Sequence, residues 1–516
     1  MNVTNSRAGR IGAVAGISVI GALALNATMV GATSPPTSGY TVPSPPTVAQ
    51  VNASVLAGVE YIDCQQNGNG SFGGSGGDVP ETAGAIVAYG TLAKNNIANL
   101  PTANTDPACA GTHNLRTDMT NAVTWLLAQQ NATAPSSEGN GGSWSYTGDT
   151  TYATGLALTA LSFSSTVTTT PATAVATAIT AGRAFLSNEF VGPPNGVCST
   201  VWAASGDTSY FCGGWNYDVS FGRSDESNTG FAITGLALTG GVPTAMQVLN
   251  LGWQANVQAD TVTNPHWAAT RNDGGGSYVP GLVDDANDDF TSNSNDSGSL
   301  TFGFADDGLT TADPRVQAAL QFDTDALDTL EKAAHSGVSV EHVMVYHHAA
   351  AEDGSCDPSA GGCDWALGTT EGGFHYSMFA LSKGLGAFIT PQLSDGTNWY
   401  AKVADLLVTQ QDATAGTSFG SWPADLRDDF TQMFATELSV FSLGLVGVPA
   451  PSPSPSASPS PTGIPVPATG VHPSPNDNGG IAAILIGTLA LAVALVTPRM
   501  RRRGKPGNGN APRQVP

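Results

Sequence analysis

Aromatic residues beside carboxylates and amides recur at Gly-flanked turns in this chain, and they are its best candidates for chemistry. The turns hold Trp144 with Tyr146, Trp215 with Tyr217 and Asp218, Phe374 with His375 and Tyr376, and Trp422. Ring faces stack on sugars while neighbouring polar groups hydrogen-bond their edges, so such turns suit glycan binding. Paired carboxylates would add hydrolysis or elimination. Glu371, Asp218, Glu226 and Asp149 are the acids that could be paired in this way, although sequence supplies no separations between them. The competing reading makes the same aromatics core plugs that the fold requires.

Metal ligands are sparser. His347 and His348 follow Glu341 and His342, and His348 with Glu352 has the i to i+4 spacing of two ligands on one helix face, with His375 as a third. Polar residues on an outer helix are the competing reading. The Asp-rich stretch from Asp284 to Asp307 offers oxygen ligands for calcium, but it lacks the Asp-x-Asp-x-Asp-Gly order, and a solvated acidic loop competes. No cofactor is predicted from the sequence, with calcium left open.

The elements that position these residues repeat. Tyr61-Ile62 is followed by Gln66, then Gly70-Ser71-Phe72. Trp125-Leu126 leads to Gln129-Gln130, Gly142-Ser143-Trp144 and Thr154-Gly155-Leu156. Phe185-Leu186 leads to Gly214-Trp215 and Thr229-Gly230-Phe231, and Leu406-Leu407 to Gln410-Gln411, Gly420-Ser421-Trp422 and Thr436-Glu437-Leu438. A pattern recurring at long period signals stacked supersecondary units. Each unit reads as two helices joined by a Gly-aromatic loop. The second helices carry Gly, Ala, Ser and Thr where a surface helix would carry Lys and Glu, which places them among neighbours. The glutamine suits helix-end backbone groups that need partners, and the aromatic suits the gap between hairpins. Six hairpins follow, at roughly 51–93, 117–163, 174–240, 243–311, 316–386 and 396–447, the fourth being the weakest pattern.

The spacing Gln66-x-x-x-Gly70-x-Phe72 after Tyr61-Ile62 resembles the QW-type repeat of terpenoid cyclases and protein prenyltransferases. The resemblance covers about residues 50–447. It implies an all-α fold, an α/α toroid with inner and outer rings of helices around a cup-shaped cavity. The family's chemistry does not carry over. Asp323-Thr324-Asp325-Ala326 lacks the last aspartate of the cyclases' Asp-x-Asp-Asp acid, and no Asp-x-Cys stands where prenyltransferases hold zinc. The Gly-Cys-Gly-Glu-Gln of thioester domains is absent as well.

The chain ends address location. Arg7 and Arg10 precede an apolar run from Ile11 to Leu25, and Val30-Gly31-Ala32 offers small residues for cleavage, so residues 1–32 read as a signal peptide followed by a Pro-rich linker at 33–49. A Pro/Ser stalk at 448–478 contains Val466-Pro467-Ala468-Thr469-Gly470. A hydrophobic helix is expected at 479–498, followed by a basic tail at 499–516. That order resembles the cell-wall sorting signal of Gram-positive surface proteins, with Val466 in place of leucine. Pro467, Thr469 and Gly470 are then the sorting residues, and the partner is the wall, reached through a sortase. The alternative is a permanent membrane anchor, for which the apolar run Ile481 to Val496 is somewhat shorter than the ~20 residues of a full span.

Charge and cysteines agree with export. Eight of the 18 basic residues but only one acid, Asp477, lie in the terminal segments, which leaves residues 33–465 with 10 basic and 40 acidic residues, a formal charge of −30. Such a surface excludes nucleic acid as a partner. Six cysteines fit an oxidising compartment, and the simplest local pairing joins Cys64 with Cys109, Cys198 with Cys212, and Cys356 with Cys363. The expectation is therefore a surface-anchored recognition domain for an extracellular glycan, lipid or peptide; the alternative is an extracellular toroid enzyme. Changing Thr469 to Ala should release the protein from the wall fraction or strand it in the membrane. Peptides spanning Pro475 to Arg499 recovered from mature surface protein would decide for the permanent anchor instead.

Overall fold

The computed structural model describes residues 39–444, apart from 75, 95, 134–140, 148, 165–171, 193–210, 218–221, 260–272, 281–291, 342, 350–362, 369–372, 415 and 425–430. The chain divides into two units, Met1–Ser452 and Pro453–Pro516, and every described residue belongs to the first. The signal, stalk, sorting and hydrophobic-helix expectations lie outside the described residues. Among those described, no helix is long and apolar enough to cross a membrane.

Twelve α-helices are described: α1 (Val48–Asp63), α2 (Val79–Ala93), α3 (Leu115–Gln129), α4 (Thr150–Ser164), α5 (Ala172–Glu189), α6 (Glu226–Leu238), α7 (Thr244–Val257), α8 (Ser294–Asp306), α9 (Pro314–His335), α10 (Gly373–Phe388), α11 (Trp399–Gln410) and α12 (Gln432–Gly444). They pair as the six expected hairpins. The ends are set locally. Thr47 and Gln50 close a capping box on α1, and Asp78, Asn114, Asp225 and Asn293 cap α2, α3, α6 and α8 through side-chain oxygens.

Burial separates two classes of helix. The odd-numbered helices are less completely covered than the even ones: α3 buries 6 of its 15 residues, whereas α2 buries 13 of 15. The even helices contact one another in a closed cycle, α2 to α4, α6, α8, α10, α12 and back to α2, and the odd helices lie against them. Small residues permit the close approach. A Cβ on Gly155 would stand 2.6 Å from the Phe231 carbonyl oxygen, and one on Gly384 would stand 2.5 Å from that of Gly298.

The joints between hairpins share one bonding scheme. The Gln66 amide donates to Gly70 O at 3.2 Å and to Asp118 O in α3 at 2.7 Å. Gln130 does the same to Gly142 O and Ala178 O of α5, and Gln258 to Gly274 O and Arg315 O of α9. Gln411 bonds Gly420 O at 2.7 Å and Ser54 O at 2.8 Å, so the last hairpin is clamped to the first helix. The accepting glycines adopt φ between +79° and +89°, which L side chains resist. A hydroxyl from the following even helix then receives the N–H of the loop's next-but-one residue: Thr82 for Phe72, Thr154 for Trp144, Thr229 for Trp215, Ser297 for Gly276 and Thr436 for Trp422.

Three units depart from the pattern: at the third, Asn250 of α7 supplies the amide in place of a glutamine. In the fourth, Gly276 replaces the aromatic, and the Phe322 ring of α9 occupies the space a Gly275 Cβ would need, so the plug comes from the neighbouring helix. The fourth hairpin therefore shows the weakest pattern in sequence. In the fifth, an antiparallel hairpin of β1 (Met344–Ala349) and β2 (Cys363–Gly368) intervenes, with Met344 opposite Gly368 and Ala349 opposite Cys363. The all-α expectation needs that one amendment. It also corrects the metal reading of His347 and His348: both lie on a strand, where i to i+4 does not share a helix face, and Glu352 lies outside the described residues.

The space enclosed by the even helices is filled. Tyr152 meets Phe231 edge-on at 4.4 Å, and Phe231 stacks on Tyr376 at 5.7 Å and on Phe379 at 5.8 Å. Phe379 contacts Phe441, which reaches Phe163 at 6.3 Å. The Phe231 stack joins α6 to α10 and the Phe163–Phe441 contact joins α4 to α12, pairs that are not neighbours in the cycle. The pocket left at this level, between Thr234, Phe302, Lys383 and Phe441, measures about 50 Å³. The cup-shaped chamber implied by the cyclase resemblance is thus corrected to a packed aromatic core among the described residues.

Gln411→Ala should test the clamp. It leaves two carbonyls without their donor, at about 1–3 kcal/mol for each buried group left unsatisfied. Urea unfolding is expected to show a loss of about 2–4 kcal/mol, and an unchanged midpoint would refute the clamp's role in stability.

Candidate functional site

A groove of about 560 Å³ opens beside the first joint. One wall is the turn Gln66-Asn67-Gly68-Asn69-Gly70, and the other is the α3 face carrying Asp118, Asn121, Thr124, Trp125 and Ala128, with Thr112 and His113 at one end. The turn is held from within: Asn67 donates to Gly73 O at 2.8 Å, and Asn69 Oδ1 accepts from the Ser71 N–H and hydroxyl. Asn121 and Thr124 are exposed and Trp125 is half-buried. The lining thus combines amides, a hydroxyl, an aromatic ring and a carboxylate–imidazole pair.

Beneath His113 lies a buried network. The Cys64–Cys109 disulfide ties the end of α1 to the 100–114 loop. Asn104 donates to Glu60 O and to Asp63 Oδ2, and the Tyr89 hydroxyl donates to Asp63 Oδ1 at 2.5 Å. His113 Nδ1 stands 3.2 Å from Asp118 Oδ2 and 4.0 Å from Asp63 Oδ2. Asp118 Oδ2 also accepts the Asn114 N–H at 2.9 Å. Burial raises the Asp63 carboxyl to about 6, although the Tyr89 and Asn104 hydrogen bonds act to lower it.

A second constellation of the same composition joins two outer helices. Glu331 and His335 stand one turn apart on α9, and Asp405 faces them from α11. Burial, aided by Asp405 and opposed by Lys402, raises Glu331 to about 8.

The aromatics expected to form binding turns are placed otherwise. Trp144, Trp215 and Trp422 are fully buried, and each indole N–H donates at 2.7 Å to a carbonyl at the end of the preceding helix, that of Leu126, Leu186 and Leu407. They are plugs, because a ring closed off on both faces cannot stack on a ligand. His375 is buried with Nδ1 2.9 Å from Ser439 Oγ, and Tyr376 belongs to the central stack. Tyr217 is half-buried and its hydroxyl accepts from Tyr278 at 3.3 Å. Glu226 is buried and accepts the Trp253 indole N–H at 2.8 Å, and Asp149 closes a small turn with Tyr146. Asp218, Glu371, Cys198 and Cys356 lie outside the described residues, as do 284–291 of the Asp-rich stretch, while 292–307 contain α8. Cys212 is disulfide-bonded.

Asp63, His113, Asp118, Asn121 and Trp125 were not legible as a group, since 45 residues separate Cys64 from Cys109. The one signal was the Asn-rich Gln66–Phe72 turn, which reads first as a joint. The chain matches no protein-family model and no curated protein.

Several buried acids share a pH dependence. Burial raises Asp323 to about 8, against a single lowering hydrogen bond from Thr301. With Asp63 at about 6, the folded chain retains protons that the unfolded chain has released. Their contribution to stability is complete below the ordinary aspartate value of 3.8 and is lost as pH rises through about 6 and then about 8. Denaturation midpoints should therefore fall from about pH 5 to about pH 8, and Asp323→Asn should flatten the upper part of that fall. A midpoint rising over this range would contradict the assignment.

Proposed function

We propose that this chain is an exported, surface-tethered α/α toroid that recognises a hydroxyl-rich extracellular ligand, a glycan, in the groove between the Gln66–Gly70 turn and α3. The groove carries the proposal. Its 560 Å³ falls within the range of small-ligand sites. Its polar groups suit sugar hydroxyls, which need both donors and acceptors: the Asn121 amide supplies both, and Asp118 with His113 lies at one end. Trp125 offers an aromatic surface for a sugar ring.

The toroid part of this reading is supported by the closed cycle of even helices and by the Gln411 bond to Ser54, which joins last hairpin to first. The packed centre favours a binder over a cyclase, because an isoprenoid has no chamber among the described residues. Export and tethering rest on the terminal segments alone.

Calorimetry with soluble wall-polysaccharide fragments tests the groove. Trp125→Ala should weaken binding about tenfold or more, equivalent to about 1.4 kcal/mol. Asn121→Ala, which keeps the Cβ that stands against the Gly70 turn and removes only the exposed amide, should weaken it without changing the unfolding midpoint. Binding that both variants leave intact would place the ligand elsewhere.

A further inference from the structure

Two groups of three ligand-type side chains occur among the described residues, and they differ in what their oxygens already bond. At Asp63, His113 and Asp118 the buried carboxylate has both oxygens occupied, by Tyr89 and Asn104. At Glu331, His335 and Asp405 it does not. The Glu331 side chain is 0% exposed, and neither of its oxygens has a hydrogen-bond partner. Leaving a buried carboxylate in that condition is costly unless a cation meets it.

The local charges show what is missing. Asp328, the other acid beside Glu331, accepts from Lys402 Nζ and from the Tyr40 N–H. Lys402 Nζ thus bonds Asp328, and no hydrogen bond from it to Glu331 accompanies that one. Glu331 and Asp405 are two carboxyl groups facing one imidazole. His335 Nε2 lies 3.0 Å from Asp405 Oδ2 and 3.3 Å from Glu331 Oε2. Ligands bonded at about 2.1 Å are spaced about 3.0 Å apart along an octahedron's edge and about 3.4 Å along a tetrahedron's. All three ligand atoms lie within 4.8 Å of one another. His335 is 43% exposed, which leaves an entry from solvent and room for a water ligand.

We infer that Glu331, His335 and Asp405 bind one divalent first-row transition ion, zinc being the best fit, and that the ion pins α9 to α11. One imidazole nitrogen with two carboxylates suits zinc better than calcium, which takes oxygen ligands only. A dication would balance the two carboxylates that ligate it, while the imidazole binds neutral through Nε2. The role is independent of the groove, which lies at the first joint, whereas this site joins the outer helices of the fifth and sixth hairpins.

The test uses the full mature chain with zinc, and with cobalt(II) as a spectroscopic stand-in. One ion per chain is expected, with a visible cobalt absorption and a rise in the unfolding midpoint that EDTA reverses. His335→Ala should lower zinc affinity by about 100-fold or more. Glu331→Gln keeps the side chain's size and removes its buried charge. It should therefore fold at least as well as the parent without metal and lose the zinc response, which keeps the test decisive even if His335→Ala folds poorly. His113→Ala should leave the response intact. No stoichiometric binding, binding unchanged in both His335→Ala and Glu331→Gln, or a response lost in His113→Ala would each overturn the inference.

Discussion

A side-chain amide bridging two backbone carbonyls is the interaction on which the rest of this structure depends. At four joints a glutamine donates once to the glycine of its own loop and once to the odd helix that begins the next hairpin. The amide thus makes a local turn and a contact between units with the same two hydrogens. The third joint reaches a related end by another route: Asn250 of α7 donates to Gly213 O at 2.9 Å, so the amide comes from the neighbour. The partner helix also limits the turn sterically. A Cβ on Gly420 would stand 2.4 Å from Ala57 O, and one on Gly274 would stand 2.6 Å from Ala318 O. Glycine is required at these turns for backbone angle and for space alike.

What the clamps enclose explains the composition of the even helices. A helix covered on most sides cannot carry long charged side chains, and α2, α4, α8 and α12 carry Gly, Ala, Ser and Thr instead. The exceptions are few and buried. Lys383 is held against the Phe302 and Phe379 rings, at 5.3 and 5.0 Å, and burial lowers its ammonium to about 7. Glu437 packs against Gly84, and burial raises its carboxyl well above the ordinary range. In a chain with 41 acids and 18 bases, burial of carboxyl groups without a matching cation makes their protonation part of the folding energetics.

The groove at the first joint uses that architecture twice. Gln66 clamps α3, and the clamp sets the distance between the Asn67–Asn69 turn and the α3 face carrying Asn121 and Trp125. The disulfide and the Asn104–Asp63 bond then position His113 at one end. A groove built from a structural joint inherits its rigidity, which would lower the ordering cost of the binding proposed for it.

The amino-acid sequence by itself determined the helical hairpins, their number and approximate limits, and the small-residue helices that lie inside. Those are local properties: the spacing of Gln, Gly and aromatic residues at a joint, and the absence of charge along a helix. It also marked the Cys64–Cys109 bond, whose partners flank a single helix. Tertiary structure alone decided which aromatics are reachable. The turn aromatics Trp144, Trp215 and Trp422 read as the binding candidates in sequence, but their indole N–H groups meet carbonyls of the preceding helix and their rings are enclosed, whereas Trp125, read there as part of a helix end, lines an open groove. The Phe322 plug of the fourth unit, the strand beneath His347 and His348, and the meeting of Glu331 and His335 with Asp405 were equally hidden, because each joins elements whose proximity is set by packing between hairpins rather than by any local spacing.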